Sequence, residues 1–290
     1  MITIMGITGQ VGGALARNLL ADKLRVRAVV RNTVKAAAWE KQGCELAIAD
    51  AGDVEALTTA FAGSDAVFVL LPPIFDPTPG FPETLRNVDA LHAALMLARP
   101  KRVVCLSTIG AQAAQDNLLR QLQIMEQRFA SLPMPVAYIR AAWFMENSFW
   151  DIEPAKTTGV ISSFLQPLDK PVPMVATVDI ARLAAKLLQE EWSGKRIMEL
   201  EGPCRITPNE IAVDFSRLLD KPVRMQIVPR NTWESLFRSQ GMSNPLPRMQ
   251  MLDGFNQGWI EFEAKPGGQA EHLTGTTTFD QVITEKLALN

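Results

Sequence analysis

Cysteine, histidine and tyrosine are scarce in this chain of 290 residues, which contains three, two and one of them respectively. The cysteines, Cys44, Cys105 and Cys204, lie far apart without a Cys-x-x-Cys pair, so we predict neither a disulfide framework nor a zinc site. No apolar run reaches the roughly 18 residues that cross a bilayer, and the first residues have the pattern of a strand rather than a signal peptide. We therefore expect a cytoplasmic protein with no metal and no membrane partner.

Excess charge and the common hydrolase motifs are missing as well. The net charge is −2 and the isoelectric point is about 5.8, and there is no basic run or helix-turn-helix pattern, which argues against a nucleic-acid partner. The absence of Gly-x-Ser-x-Gly, His-Glu-x-x-His and phosphate-loop motifs argues against serine hydrolases, zinc proteases and P-loop NTPases. Apolar residues, in contrast, make up 47% of the chain, which is ordinary for a soluble globular protein.

Short apolar segments alternate with helical patterns along residues 1–150. We predict helices that begin after Thr33 and Asp53 and another over 115–130. The predicted strands lie at 2–5, 25–30, 44–49, 66–71, 102–106 and 136–140. This alternation is typical of right-handed crossovers in a parallel sheet. The predicted class is therefore α/β, with a Rossmann-type doubly wound parallel sheet in residues 1–150.

Residues 151–290 have a different pattern, which is at first rich in Gly, Pro and Ser. Capping-box patterns at 207–210 and 278–281 predict two further helices. We expect this part of the chain to form mainly a smaller C-terminal α/β domain. Some of its segments should return to the main sheet.

A glycine-rich segment, Gly-Ile-Thr-Gly-Gln-Val-Gly at 6–12, lies between the first strand and the first helix. A dinucleotide diphosphate approaches the backbone closely at such a turn and binds the free amides of the helix N-terminus, and a β-carbon there would block it. A flexible turn with no ligand is the alternative. The candidate cofactor residues of this segment are Gly6, Thr8, Gly9, Gln10, Val11 and Gly12.

The residues after the second strand predict which nicotinamide cofactor binds. Enzymes that prefer NAD usually carry Asp or Glu there to bind the ribose hydroxyls, whereas this chain has Arg31, with Lys35 close behind. A cation can pair with the 2′-phosphate of NADP(H). We therefore predict NADP(H) as the preferred cofactor and NAD(H) as the second choice. The alternative is that both side chains are simply solvated.

The ends of later strands supply further candidates, because ligands bind outside the carboxyl ends of strands in open α/β sheets. Asp50 and Ala51 would lie near the adenine, although Asp50 could equally cap the following turn. Leu71 and Pro72 would line the ribose and nicotinamide part of the crevice. Ser107 and Thr108 would lie there too and are candidate catalytic residues, with ordinary turn chemistry as their alternative.

The order of these motifs resembles that of the NmrA-like group of atypical short-chain dehydrogenases. The resemblance rests on GITGQVG at the start, VRN after the second strand, ADAGD at 49–53, IRAAWFMEN at 139–147, VDIARL at 178–183 and LEGP at 200–203. It implies an NAD(P)-binding Rossmann domain with a smaller domain closing over a cleft. Members include NADPH-dependent quinone, azo-dye and triphenylmethane reductases, dehydrogenases that act on iminium groups, and non-enzymatic sensors of the nicotinamide redox state.

The resemblance also implies that an aromatic segment after the sixth strand faces the nicotinamide and the substrate. Trp143 is therefore a candidate for both, and the predicted substrate residues are Pro73, Phe75, Trp143, Phe144, Asn147 and Trp233. Met145, Met242 and Met249 are further candidates for the pocket. For each of these apolar side chains, a place in the core is the alternative.

The usual short-chain dehydrogenase acid is missing. A Tyr-x-x-x-Lys pair normally protonates the alkoxide, but Tyr138 is followed four residues later by Ala142, and Glu126 by Gln127 where some NmrA-like reductases keep a lysine. Two hypotheses stay open. One is an NADPH-dependent reductase of quinone, azo-dye or iminium acceptors. The other is a non-catalytic redox sensor that acts through a regulated protein partner. The chain would be a monomer or a homodimer.

Overall fold

A parallel sheet organises the chain, whose computed structural model describes residues 1–263 and 270–288. These residues contain twelve strands: β1 (Ile2–Met5), β2 (Val26–Val30), β3 (Glu45–Ile48), β4 (Ala66–Val69), β5 (Arg102–Thr108), β6 (Val136–Ala141), β7 (Trp143–Phe144), β8 (Val160–Ser163), β9 (Met174–Val175), β10 (Lys195–Glu201), β11 (Arg224–Ile227) and β12 (Ala270–Thr274). Eight of them pair in parallel in the order β12-β10-β6-β5-β4-β1-β2-β3, while β7 pairs with β9 and β8 with β11. The predicted parallel sheet is confirmed.

Helices cover both faces of this sheet. They are α1 (Gln10–Ala21), α2 (Ala37–Lys41), α3 (Val54–Phe61), α4 (Pro82–Ala98), α5 (Arg120–Phe129), α6 (Ile152–Thr157), α7 (Thr177–Gln189), α8 (Pro208–Leu219), α9 (Trp233–Ser239), α10 (Leu246–Gln257) and α11 (Phe279–Ala288). Residues of α1 and α7 join one hydrophobic cluster on the first face, and residues of α3, α4 and α5 join a second cluster on the other. The sheet is therefore doubly wound, with a topological switch point between β1 and β4.

The central strands are apolar throughout because both of their faces are covered. In β4, Phe68 belongs to the first cluster while Val67 and Val69 belong to the second, and all three are fully buried. Successive strand side chains point to opposite faces. A strand between two helical layers must therefore be apolar at every position.

A third hydrophobic cluster is built largely by segments after residue 150. It includes Ile109, Met145, Phe237, Phe255 and Ile283. The same part of the chain also adds β10 and β12 to the main sheet. The division of the chain at residue 150 stays a prediction.

Three predicted helix starts agree with the structure and one does not. The Asp53 carboxylate accepts a hydrogen bond from the Ala56 amide at 3.0 Å, and the boxes at 207–210 and 278–281 are both formed. Thr33 does not cap a helix. Instead Asn32 Oδ1 accepts from the Val34 amide at 2.8 Å, and a 3₁₀ turn precedes the short α2.

Two further differences come from contacts between distant segments. The helix predicted over 115–130 begins only at Arg120, since the Leu118 amide donates to the Pro247 carbonyl at 2.9 Å. Helix α10 was not predicted because Gly254 interrupts its apolar period. A Cβ there would lie 2.6 Å from Ile260 Cδ1, which explains the glycine. Of the helices described, none is long and apolar enough to cross a membrane.

Candidate functional site

The turn between β1 and α1 has the geometry of an anion site. Gly6 takes a positive φ of 75°, a conformation that glycine adopts without strain, and its carbonyl accepts from the Gly9 amide at 2.9 Å. Gly9 is the extended N-cap of α1, and it provides no side-chain cap. The first amides of the helix are therefore left without a side-chain acceptor at the carboxyl edge of the sheet.

Helix α1 starts very close to the end of β1. A Cβ at Gly12 would lie 2.2 Å from the Gly6 carbonyl oxygen, so only glycine allows the helix to start this close to the strand. Thr8, Gly9 and Gln10 are exposed. The close backbone approach that a diphosphate needs is thus open at the predicted segment.

Two exposed cations stand beside this turn. Arg31 follows β2 directly and Lys35 lies on the next 3₁₀ turn. Arg27 on the same strand pairs with Glu45 at 2.5 Å. No carboxylate in the described part of the chain pairs with Arg31 or Lys35, which leaves both side chains available for a phosphate.

The ends of β3 and β4 continue the same edge. Asp50 is exposed, and its Oδ1 accepts from the Gly52 amide at 3.1 Å, so it caps the turn as the alternative reading of the sequence proposed. Ala51 and Leu71 are buried, and Pro72 is half-buried. Contact of these four residues with adenine or ribose stays a prediction.

A buried hydrogen-bonded trio lies at the ends of β5 and β6. Ser107 and Arg140 are register partners on these strands. Ser107 Oγ donates to Glu126 Oε1 at 2.5 Å, and the Arg140 guanidinium donates to both Glu126 oxygens, at 3.1 and 2.7 Å. The single serine proton is therefore committed to the carboxylate, which leaves the Ser107 oxygen as an acceptor for anything beside it.

Arg140 lies close to two further carboxylates, those of Glu263 and Glu199. Its Nη1 lies 2.8 Å from Glu263 and 3.7 Å from Glu199. Glu199 is fully buried on β10, directly opposite Arg140, and it accepts from the Glu263 amide at 2.7 Å. One buried guanidinium thus contacts three carboxylates, and buried charges of this kind require pairing.

Sequence reasoning gave Arg140, Glu199 and Glu263 no role. The available signal was a charged residue within otherwise apolar strands, at the end where ligands bind. Arg140 lies within the IRAAWFMEN segment and Glu199 just before LEGP.

Tyr138 and Arg140 both keep their protons at neutral pH. Burial, together with Cys105 and Glu126, raises the pKa of Tyr138 well above its usual range, and its hydroxyl donates to the Glu126 carbonyl at 3.2 Å. Burial alone would lower the pKa of Arg140, but hydrogen bonds and charge from Glu126 and Glu263 raise it instead. Tyr138 is therefore a structural phenol and not an acid for catalysis.

The aromatic segment after β6 divides between two clusters. The Trp143 ring packs edge-on against Phe255, with centroids 5.1 Å apart, within the third cluster, whereas Phe144 packs against the first cluster. Neighbouring strand residues point in opposite directions, so the two rings do not share one pocket wall. Contact of Trp143 and Phe144 with nicotinamide or substrate stays a prediction. Asn147 is exposed on the 3₁₀ turn that follows.

Three predicted pocket residues belong to the core instead. Trp233 is fully buried, and its Nε1 donates to the Val228 carbonyl at 2.8 Å. Met145 and Met249 are buried in the same third cluster. Met242 remains half-buried. Full burial argues against substrate contact by Trp233 and Met145, because packing in the second half of the chain satisfies these side chains. Contact of Met249 with substrate stays a prediction.

The loop after β4 is attached to the segment before α10. The Asp76 carboxylate accepts from the Ser243 and Asn244 amides at 2.8 and 2.7 Å, and these bonds lower the pKa of Asp76. Pro73 and Phe75 are exposed on the same loop, Phe75 to 65%. This attachment holds the loop after β4 against the segment before α10.

Asp151, at the end of the 3₁₀ turn Met145–Asp151, is a carboxyl group whose pKa responds to burial. Burial raises the pKa of Asp151 to about 7, although a hydrogen bond with Ser148 acts to lower it. A carboxyl with a raised folded pKa stabilises the protein fully only below its unfolded pKa, and that stabilisation is lost as the pH rises through the folded pKa. We expect D151N to raise the melting temperature by about 2 °C more near pH 8 than near pH 5, on the order of 1 kcal/mol after solvent screening.

Thermal denaturation at both pH values measures this difference. The control is E153Q, which removes an exposed carboxylate two residues further on and should shift the melting temperature equally at both. An equal shift for D151N as well would contradict the burial of Asp151.

A surface groove of about 570 Å³ between α1 and α7 is separate from this site. Asn18, Asp22, Arg182, Lys186 and Gln189 are among the residues that line it. These residues lie away from the start of α1, and hence away from the carboxyl edge where ligands bind in this kind of sheet.

Comparisons with known proteins agree with this geometry. A sequence model described as the NmrA-like family matches residues 1–281. An NAD(P)H azoreductase from Xenophilus azovorans is 27% identical over 250 residues, which cover 85% of this chain and 83% of the relative. A (4-alkanoyl-5-oxo-2,5-dihydrofuran-3-yl)methyl phosphate reductase from Streptomyces griseus is 29% identical over 228 residues, with coverage of 78% and 76%.

A solved structure has the same fold. The NADPH-dependent quinone oxidoreductase of Escherichia coli, in complex with NADPH, superposes with a TM-score of 0.80 at 23% identity, and the match covers 99% of this chain and all of the other. At this level of identity the likeness establishes the architecture. The predicted Rossmann-type fold is confirmed.

Proposed function

The chain belongs to the NmrA-like family, and we propose that it is a reductase that transfers hydride from NADPH to a small acceptor of the quinone, azo-dye or iminium type. The observation that carries the proposal is the start of α1, which lacks a side-chain cap and follows a positive-φ glycine, with Arg31 beside it paired to no carboxylate of residues 1–263 and 270–288. The azoreductase and quinone oxidoreductase among its relatives support the reaction type.

The cofactor would lie along the carboxyl edge of the sheet. The turn at 6–12 would hold the diphosphate, while Arg31 and Lys35 would bind the 2′-phosphate and thereby favour NADP(H) over NAD(H). Asp50 and Ala51 would border the adenine, and Leu71, Pro72, Ser107 and Trp143 would border the ribose and nicotinamide. When bound, NADPH supplies the hydride.

The residues around the reacting centre would orient the acceptor and exclude water, and they would not donate protons. Ser107 gives its proton to Glu126, Thr108 Oγ1 donates to the Ile109 carbonyl at 3.2 Å, and Tyr138 is engaged beneath them. These three hydroxyl groups are therefore poor acids toward a substrate. Acceptors that take hydride without protein acid catalysis, with water supplying the proton, suit such a site.

Stopped-flow mixing of the NADPH-loaded protein with a quinone, an azo dye and an iminium salt tests the proposal. We expect NADPH absorbance to fall with at least one acceptor, and NADH to react at least about tenfold less efficiently. Tight NADPH binding without oxidation by any of the three would contradict the reductase.

The engaged hydroxyl groups also favour one alternative, a sensor that binds a regulated protein in one cofactor state. Pull-downs with NADP⁺ and with NADPH should then retain different proteins, and identical partners would contradict it. Light scattering would separate the monomer from the homodimer. The cysteines Cys44, Cys105 and Cys204 are free, in keeping with the cytoplasmic location that we propose.

A further inference from the structure

Arg248, in the first turn of α10, is a half-buried arginine without a carboxylate partner. Within residues 1–263 and 270–288, each of the other arginines that is not classed as exposed has one. They are Arg27, Arg102, Arg120, Arg140, Arg196 and Arg230. Partly buried guanidinium groups in this protein are thus paired as a rule, and Arg248 is the exception.

The surroundings of Arg248 give its charge little compensation. The guanidinium carbon lies 4.4 Å from the centroid of the Phe237 ring, and Nη1 lies 3.8 Å from Met242 Sδ. An aromatic face attracts a cation, but a ring and a thioether accept few of the five guanidinium protons. Burial lowers the pKa of Arg248, yet an arginine in a protein stays charged. A desolvated cation with unused donors is costly unless an anion joins it.

Helix α10, which carries Arg248, is attached to loops at the carboxyl edge of the sheet. The Pro247 carbonyl, next to Arg248, accepts from the Leu118 amide in the loop after β5. Ser243 and Asn244, just before the helix, are held by Asp76 in the loop after β4. Towards its other end α10 carries Phe255, which packs on Trp143 after β6. The helix is therefore attached to segments that follow β4, β5 and β6, the strand ends near which ligands bind in this kind of sheet.

We propose that Arg248 determines acceptor specificity by binding an anionic substituent of the acceptor, a carboxylate, sulfonate or phosphate. The inference rests on the reductase function proposed above and adds the substrate class. A planar guanidinium matches the two oxygens of such a group in a bidentate pair. The ligand would then supply the negative charge that pairs with Arg248.

Steady-state kinetics with acceptors that differ in one charge test this inference. The pairs are methyl red with its methyl ester, and a naphthoquinone with its sulfonate. We expect R248A to raise KM for the anionic member about 10- to 100-fold, as the loss of a charge-assisted pair predicts, and to change KM for the neutral member by less than about threefold. The KM of R248K for the anionic member should lie between those of wild type and R248A, because lysine keeps the charge but cannot form the bidentate pair.

Arg230 provides a matched control. Its guanidinium also stacks on an aromatic ring, Trp233 at 4.8 Å, but it is paired with Asp253. R230A should therefore change KM for both members of a pair by the same factor. Equal factors for R248A would overturn the anion site while leaving the reductase in place.

Calorimetry keeps the inference testable if no acceptor turns over. Protein loaded with NADP⁺ should bind methyl red more tightly than its ester, and R248A should remove that preference. Absence of turnover with this preference intact would contradict only the reductase, whereas equal binding of the two dyes would overturn the anion site. Because Arg248 has no ion pair to lose, R248A should keep its melting temperature within about 3 °C.

Discussion

R31E should weaken NADPH binding about 100-fold or more and leave NADH binding within about threefold of wild type. The exchange replaces a cation that faces the 2′-phosphate with a carboxylate that repels it, and NADH has no phosphate at that position. Fluorescence or calorimetric titration with each cofactor measures the two dissociation constants. The expected loss of NADPH affinity is large because the side chain that contacts the 2′-phosphate changes from positive to negative charge.

R25E is the matched control for R31E. Arg25 is also exposed, and it precedes β2 at the opposite end of the strand. The same change of net charge is therefore made far from the carboxyl edge, and both cofactors should bind as in wild type. A preference for NADPH that survives in R31E would remove Arg31 from the cofactor site.

R140M should lower the free energy of unfolding by about 3–5 kcal/mol. Methionine fills much of the same volume, but it leaves the largely buried Glu126 carboxylate without its arginine and removes the arginine beside Glu199. Uncompensated buried charge is among the few causes of losses this large. Urea denaturation of wild type and variant measures the change as a lower midpoint at an unchanged slope.

Two further variants separate the buried charge from a general loss of packing. R196M removes an arginine of β10 whose pair with Glu271 is partly exposed, and it should cost less than about 1 kcal/mol. In a double-mutant cycle, adding E126Q to R140M should recover part of the loss, since one orphaned carboxylate becomes neutral. A loss for R140M as small as that for R196M would contradict the account of the cluster.

The cofactor turn was predictable from the sequence because its geometry is local. Gly6 and Gly12 are each required by atoms within six residues, through a positive φ and through the approach of the Gly6 carbonyl. The parallel sheet was predictable for a similar reason, since strand and helix patterns arise from neighbouring residues. Arg31 followed from its place after β2.

The Ser107 cluster was not predictable in the same way. Ser107 was a candidate only because it lies at the end of a predicted strand. Its hydrogen-bond partner Glu126 lies 19 residues further along the chain. The pair of Arg140 with Glu263 crosses 123 residues. Such contacts depend on the register of β5, β6 and β10, which a single sequence does not reveal.

Aromatic and methionine side chains were the least informative candidates. Trp233 and Met145 are residue types that often line substrate pockets, yet both are fully buried. Trp143 and Phe144 are adjacent in sequence and pack into different clusters. Hydrophobic identity indicates burial, but it does not distinguish a cleft wall from a core.

The sequence by itself determined the alternation of strands and helices, the glycine turn and the cation after β2, because each depends on residues a few positions apart. Only the tertiary structure decided that Ser107 donates to Glu126, that Arg140 contacts three carboxylates and that Arg248 pairs with no carboxylate among the residues described. Charges and hydroxyl groups acquire their roles from partners brought near by strand register and by the packing of α10. Those partners lie far away along the chain.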